Sequence, residues 1–435
     1  MFNYTVYNDD GELLMLNTYT GRMMKASPEK SGLIQNILNE SNIDSEDVLA
    51  TKLKAEGMLV DKEEDEKTKL QALFIDLQSH PVLTLMILPT EQCNFRCSYC
   101  PETFEKGRMS EGIQKTIVEY VRKNISSYTG LRINWFGGEP LLEMGIIRDL
   151  SLQFKQICKT AKRSYSAQMT TNAYLLSYDV FKELLDYNVY DYQITLDGLK
   201  EAHDTQRCLV NGDPTYDTIV KNLIAIKQHS KSGKFRIYIR TNFTKSMIPT
   251  IPKYIDWFYS AFENDKRFLL DISMAGDFGG EKVRDMKNEL ISDTKHIENF
   301  FETLINSNIQ KIQLAKRFFS PGSSRCYAGD KNFYVIDANG NVRKCHCWLN
   351  DDHKNKIGCV LEDGFVDIDK QKNDEWIIPR MANKCNTCFL LPACFGHACA
   401  GANMYQSIPK CPKTKWIIGY YLKIYDKQGL FQMIE

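Results

Sequence analysis

The sequence predicts an α/β chain built on a partial, TIM-like (β/α)6 barrel, with a small module before it and a cysteine-rich region after it. Three observations predict this. Between residues 82 and 274, six short apolar runs alternate with stretches of helical spacing, which argues for a parallel sheet. Six strand–helix units are too few for a closed eight-unit barrel, so the barrel is partial. Of the 14 cysteines, three fall between Cys93 and Cys100 and nine at Cys326 and beyond.

Residues 1–80 read as a winged-helix-like module. Phe2 to Tyr7 and Leu13 to Leu16 are strand-like around the turn signal Asp9-Asp10-Gly11, and a third short strand follows Thr20-Gly21. Ser31 to Leu38, Asp44 to Leu53 and Glu63 to Leu77 show helical spacing. Such a module either captures a segment of another protein, by a strand edge or a helix groove, or merely extends the packing. Residues 81–310 form the barrel, with strands expected at 82–88, 131–136, 165–170, 189–196, 236–241 and 268–274. The run at 82–88 is apolar except for Thr84, as for a strand buried on both faces. Helices are expected at 112–123, 141–160, 177–185, 216–229 and 251–262, and a helical connector near 285–318. Residues 311–435 carry the cysteines, short strands such as 333–336, a turn at Asn339-Gly340 and a last helix at 416–425.

Lysine plus arginine equals aspartate plus glutamate, 55 each, so no net charge draws the chain to nucleic acid or a membrane surface. No apolar run reaches membrane length and the first residues lack a signal-peptide pattern, so a cytoplasmic protein is expected. In a reducing compartment clustered cysteines argue for metal or cluster ligation rather than disulfides.

The first cysteine motif, Cys93-Asn94-Phe95-Arg96-Cys97-Ser98-Tyr99-Cys100, directly follows the first barrel strand. Three thiolates on one loop hold three irons of a [4Fe-4S] cluster and leave the fourth open, whereas structural zinc takes four ligands. This arrangement resembles the radical S-adenosylmethionine superfamily. By that resemblance Gly137-Gly138-Glu139-Pro140, after the second strand, holds the methionine amino group. Thr170, Thr171 and Asn172, after the third, contact the ribose and carboxylate. Thr195-Leu196-Asp197-Gly198, followed by His203-Asp204 and Arg207, matches a stretch common in peptide-modifying members. Arg240 is placed to pair with the methionine carboxylate, and the Tyr99 ring to lie against the adenine. Taken singly, Gly-Gly-Glu-Pro reads as a turn, Arg240 as a surface charge, and Asp197 with Arg207 as a capping pair.

The second set, Cys326, Gly340, Cys345, Cys385, Cys388, Cys394, Cys399 and Cys411, resembles the SPASM extension, which carries two auxiliary iron–sulfur clusters. The resemblance assigns Cys385, Cys388, Cys394 and Cys411 to one cluster, and Cys326, Cys345 and Cys399 to the other. The fourth ligand of the latter stays open between Cys347, Cys359 and a substrate thiolate. The chain has four residues between Cys394 and Cys399 where the family has three, which brings in His397 as an alternative. It has His346 where sulfatase-maturating members carry aspartate, which argues against that activity. A zinc-stapled module is the bland reading of the CxxC pairs. Cys158 reads as a core residue, and Cys208 fits neither set.

The resemblance implies reductive cleavage of S-adenosylmethionine to a 5′-deoxyadenosyl radical, with electrons from an external flavodoxin- or ferredoxin-type donor. The expected substrate is a ribosomally made precursor peptide whose leader the N-terminal module captures. The expected product is a cysteine thioether crosslink, with a carbon–carbon crosslink or other peptide oxidation second. A sulfatase-maturase-like, protein-modifying enzyme and a non-catalytic metal-binding scaffold are the rival readings.

Overall fold

The computed structural model describes residues 2–39, 47–60, 65–79, 81–277, 281–315, 319–349, 351–361, 366–379, 381–396, 398–405 and 411–434. His397, and the expected helix starts at Asp44 and Glu63, lie outside the described residues. Packing divides the chain into two units, one gathering residues 1–80, 317–330 and 375–435, the other residues 81–316 and 331–374.

In the first unit β1 (Asn3–Tyr7), β2 (Leu13–Asn17) and β3 (Met23–Ala26) form an antiparallel meander. The first turn closes on Gly11, whose φ of +78° suits glycine. Helices α1 (Pro28–Asn39), α2 (Val48–Ala55) and α3 (Glu66–Ser79) follow. Asp47 caps α2 by accepting from the Leu49 and Ala50 amides. Leu13, Met15, Met24, Ile34, Ile37 and Leu53 form the core of this module. Helix Thr414–Lys427 packs on β1 and β2.

The second unit is a ten-stranded mixed sheet. Strands β4 (Val82–Ile87), β5 (Gly130–Trp135), β6 (Ser164–Thr171), β7 (Val189–Thr195), β8 (Arg236–Phe243) and β9 (Phe268–Met274) lie side by side, all parallel. Between them run α4 (Glu111–Asn124), α5 (Met144–Thr160), α6 (Tyr178–Asp186), α7 (Lys200–Gln206), α8 (Tyr216–His229) and α9 (Ile251–Phe262). This is the partial barrel the alternation predicted. β10 (Phe333–Ile336) extends it in parallel beside β4, and β11 (Asn341–Arg343), β12 (Lys356–Val360) and β13 (Val366–Ile368) continue it antiparallel. Among the described residues no helix is long and apolar enough to cross a membrane.

The strands alternate rather than burying both faces. One face packs on the helices: the Tyr192 ring meets Phe181 of α6, and Thr241 bonds Tyr254 of α9 at 2.8 Å. The opposite face carries polar, partly exposed side chains in register. Thr195, Arg240 and Asp271 are neighbours across three strands, as are Asn134, Gln168 and Asp191.

Candidate active site

β4 ends at Ile87, and the chain then passes through Cys93, Cys97 and Cys100 in an irregular loop. Other segments fix that loop through the backbone. The Arg96 and Ser98 amides donate to the carbonyls of Cys208 and Gln206, both at 2.9 Å, and the Val210 amide donates to Asn94 O at 3.0 Å. Residues 206–210 thus strap the loop, which places the otherwise unassigned Cys208 beside it. Sequence spacing carries no signal for that contact, because strap and loop are more than a hundred residues apart.

Gly137-Gly138-Glu139-Pro140 abuts the same loop. The Glu139 amide donates to Gln92 O at 2.9 Å. A Cβ on Gly137 would stand 2.2 Å from Thr90 O, and one on Gly138 2.4 Å from Gln92 O. These glycines are needed because backbone meets backbone here, whatever ligand they also admit.

Glu139 is fully buried and its carboxylate is taken up by the chain. Oε1 accepts from the Leu141 amide at 3.0 Å and the Thr171 hydroxyl at 2.7 Å, and Oε2 from the Asn172 amide at 2.7 Å. Burial raises this carboxyl, and the bonds from Asn172, Thr171 and Leu141 oppose the rise. Glu139 therefore joins Gly137–Pro140 to Thr170–Asn172 as one shelf. Asn172 Nδ2 donates to Asn94 Oδ1 at 2.8 Å and lies 3.8 Å from Cys93 Sγ, so the shelf reaches the first thiol.

Asp197, also fully buried, accepts from the Tyr99 hydroxyl and from the Asn242 amide at 2.9 Å. Arg207 donates to the Tyr99 oxygen at 2.6 Å and stands 3.9 Å from Asp197. Burial raises the Asp197 carboxyl and Arg207 opposes it. The Tyr99 hydroxyl is thus committed to Asp197 and Arg207, and the three groups brace the cysteine loop against β7. Arg240 is held by Asp271 at 2.6 Å and by Ser273 at 3.1 Å, so a ligand carboxylate there would share the guanidinium with Asp271.

His203, buried behind Asp197, reads as one tautomer. Its Nδ1 accepts from the Asp197 amide at 3.1 Å. The Thr215 hydroxyl donates to Arg207 O, leaving its oxygen to accept from His203 Nε2 at 3.0 Å. Burial, with Arg207 adding to it, pushes this imidazole down to about 3.

Burial pushes the Cys93 thiol up to about 12 and Cys100 up to about 11, and raises Cys97. Metal loading must displace those protons. The fold already supplies partners for the sulfurs. Backbone amides donate to Cys93 Sγ from Phe95 at 3.3 Å, and to Cys345 Sγ from Cys347 at 3.4 Å. They also donate to Cys394 Sγ from Gly396 and to Cys399 Sγ from Ala402, both at 3.4 Å. Amide donors on sulfur are a feature of iron–sulfur ligation that tunes the cluster. Amide donors on these sulfurs suit iron–sulfur ligation by Cys93, Cys345, Cys394 and Cys399.

In the first unit Cys385, Cys388, Cys394 and Cys411 line one cavity, with Leu390, Leu391 and Pro412. Among the described residues no three of His, Cys, Asp or Glu converge as ligands on a single ion. Cys326 precedes the short turn Tyr327–Gly329, which packs on helix Ala400–Tyr405 just after Cys399. Cys345 belongs to the second unit, where Cys347 adjoins it and the Cys347 Sγ lies 3.6 Å from His346 Nε2. Cys359 sits within β12, opposite Asn341 and Asp367. Cys158 is buried on α5.

Apart from Arg240, the polar face of the barrel strands went unread in the sequence as site material, although Arg132, Asn134, Gln168 and Gln193 announce it by their period of two. Asn134 is 8% exposed, and its Oδ1 is buried without a hydrogen-bond partner among the described residues. That is an acceptor facing the side where a barrel takes its ligands.

Residues 87–255 match the family model of the radical SAM superfamily. A GTP 3′,8-cyclase of Clostridium perfringens is 26% identical over 277 residues, 61% of this chain and 80% of the relative. A cysteine-type anaerobic sulfatase-maturating enzyme of Clostridium novyi is 23% identical over 340 residues, 72% and 86% of the two chains. Two solved structures share the fold. One is anSMEcpe with bound AdoMet and the Cp18Cys peptide, with a TM-score of 0.58, 18% identity, and 80% of this chain and 96% of that one covered. The other is Streptococcus suis SuiB bound to the precursor peptide SuiA, with a TM-score of 0.51, 16% identity, and 95% and 97% covered.

Proposed function

Because the chain is an enzyme of the radical SAM superfamily, we propose that it oxidises a precursor peptide, forming a thioether between a cysteine sulfur and a carbon of another residue. Cys93, Cys97 and Cys100 would hold a [4Fe-4S] cluster, beside the shelf of Gly137–Pro140 and Thr170–Asn172 that would seat S-adenosylmethionine. When bound, this pair supplies a carbon radical able to take a hydrogen atom from an unactivated C–H bond. The chain's own residues orient and shield. Glu139 locks the shelf, Asp197 with Tyr99 and Arg207 braces the loop, and the polar strand face offers Asn134, Gln168 and Gln193 to a peptide main chain. Cys385, Cys388, Cys394 and Cys411, which line one cavity, would hold an auxiliary cluster able to accept the second electron. A flavodoxin- or ferredoxin-type donor supplies the first.

The observation that carries the reading is the cysteine loop clamped beside that shelf at the carboxyl ends of parallel strands. A peptide substrate is supported by the two peptide-bound structures of like fold. Thioether formation removes two hydrogens: one as an atom from carbon, the other as the thiol proton, with one electron. Reduced enzyme, S-adenosylmethionine and a cysteine-containing precursor peptide should give a product lighter by two hydrogens, with the thiol no longer alkylatable. Formation of 5′-deoxyadenosine with an unchanged peptide mass would overturn crosslinking.

A second reading, oxidation of a cysteine in a sulfatase-type protein, is equally supported by the Clostridium novyi relative and the anSMEcpe fold, despite His346. Incubation with a sulfatase-motif peptide separates the two: conversion of its cysteine to an aldehyde decides for the second.

A further inference from the structure

The sheet of the N-terminal module has an edge that the chain itself fills. β3 pairs with β2 on one side. On its other side Gln432–Met433 runs parallel to it, Gln432 opposite Met24 and Met433 opposite Lys25, and the Ile434 amide donates to Lys25 O at 2.8 Å. The route to that edge is built in. Helix Thr414–Lys427 closes at Gly429, whose φ is +68°, with the Gly429 amide on Asp426 O and the Leu430 amide on Tyr425 O. Asp426 then meets Lys25 Nζ at 3.2 Å and accepts from Asn8 Nδ2 at 2.7 Å, fixing the helix end beside β3.

The hold beyond that point is slight. Gln432 and Met433 are both exposed and Phe431 is half-buried, while Ile434 is seated, 1% exposed among Leu13, Met15, Met24, Ala26 and Leu53. Main-chain bonds along a sheet edge, with one side-chain socket, are how extended peptides are recognised by strand addition. A two-residue strand is shorter than the usual range of strands and contributes few ladder bonds.

We propose that residues 431–434 are a displaceable occupant of a peptide-docking edge. The external occupant is an extended segment of the substrate peptide that carries a large aliphatic residue in the place of Ile434. This rests on the reading of the substrate as a peptide, but docking involves neither cluster nor S-adenosylmethionine, so it fails or holds separately from the crosslinking reaction. The intact chain then binds such a segment more weakly than the edge alone, by the fraction of time the edge is open.

The probe is a labelled synthetic peptide of residues 429–435, Gly-Leu-Phe-Gln-Met-Ile-Glu, titrated in trans against the full chain and its Ile434→Asp variant. We expect binding at least tenfold tighter to the variant, and none of a peptide carrying Asp in place of isoleucine. Equal affinity for both proteins, or no binding to a folded variant, would overturn the proposal. Should the variant unfold, hydrogen exchange on the intact chain decides. The Ile434 amide should exchange at least a hundredfold faster than the amides of β2, and protection equal to that of β2 would overturn displaceability.

Discussion

Cys93, Cys97 and Cys100 sit in a loop clamped by two distant segments through backbone hydrogen bonds. Cys385, Cys388, Cys394 and Cys411 instead line a cavity walled by single turns such as Asn383–Cys385 and Leu391–Cys394. The first site is held in shape by the chain's own hydrogen bonds. The second has little regular structure of its own, so its metal would be part of its architecture. A catalytic cluster needs a fixed surrounding for its ligand, whereas a cluster that staples short turns can itself provide the fixity.

The largest expected effect breaks the first site alone. Cys97→Ala should lower S-adenosylmethionine cleavage at least about a thousandfold, with a melting temperature shifted by less than about 4 °C, since the strap and shelf remain. Activity and calorimetry on the anaerobically purified variant check this. The same change in the second site should do the reverse. Cys388→Ala should cost one cluster's iron and lower the melting temperature by more than Cys97→Ala, while cleavage stays within about tenfold of normal. Equal thermal shifts for the two variants would erase the distinction.

Two smaller effects sharpen it. Gly138→Ala places a methyl against Gln92 O and should cost about 1–3 kcal/mol of stability. It should also raise the KM for S-adenosylmethionine more than it lowers kcat, as steady-state kinetics would show. His203 braces the first site in its neutral form, at about 3 against an ordinary 6.5. The unfolded chain therefore binds the extra proton first as the pH falls. Stability present above pH 6.5 should drop by about 1.4 kcal/mol per unit between there and pH 3. His203→Gln should flatten that slope by one proton in denaturant titrations across pH.

Much of the barrel was legible because its signals are local. Helices expected at 216–229 and 251–262, and strands at 268–274 and 333–336, occur at those bounds, and the remaining five barrel strands differ by a residue or two at an end. The order of motifs along successive strands likewise brought Cys93, Glu139 and Asn172 together. What the sequence hid depends on long-range pairing. Nothing near Cys208 announces that its carbonyl receives the Arg96 amide, and nothing near Met433 announces a place beside Lys25. The run at 82–88 also misled about the sheet as a whole: β4 is nearly all apolar, but its neighbours put arginine, asparagine and glutamine on one face. Nor does the motif around Tyr99 announce that its hydroxyl is committed to Asp197 and Arg207.

That division of each strand into an apolar face on the helices and a polar face on the open side has an evolutionary consequence. Substitutions at Arg132, Gln168 or Gln193 change what the open side presents without disturbing Ile133, Met169 or Ile194, which hold the sheet to its helices. On the proposed reading, substrate preference can drift one residue at a time while the cysteine loop and its shelf stay intact. A lineage of such enzymes can diversify its products without first surviving a loss of stability.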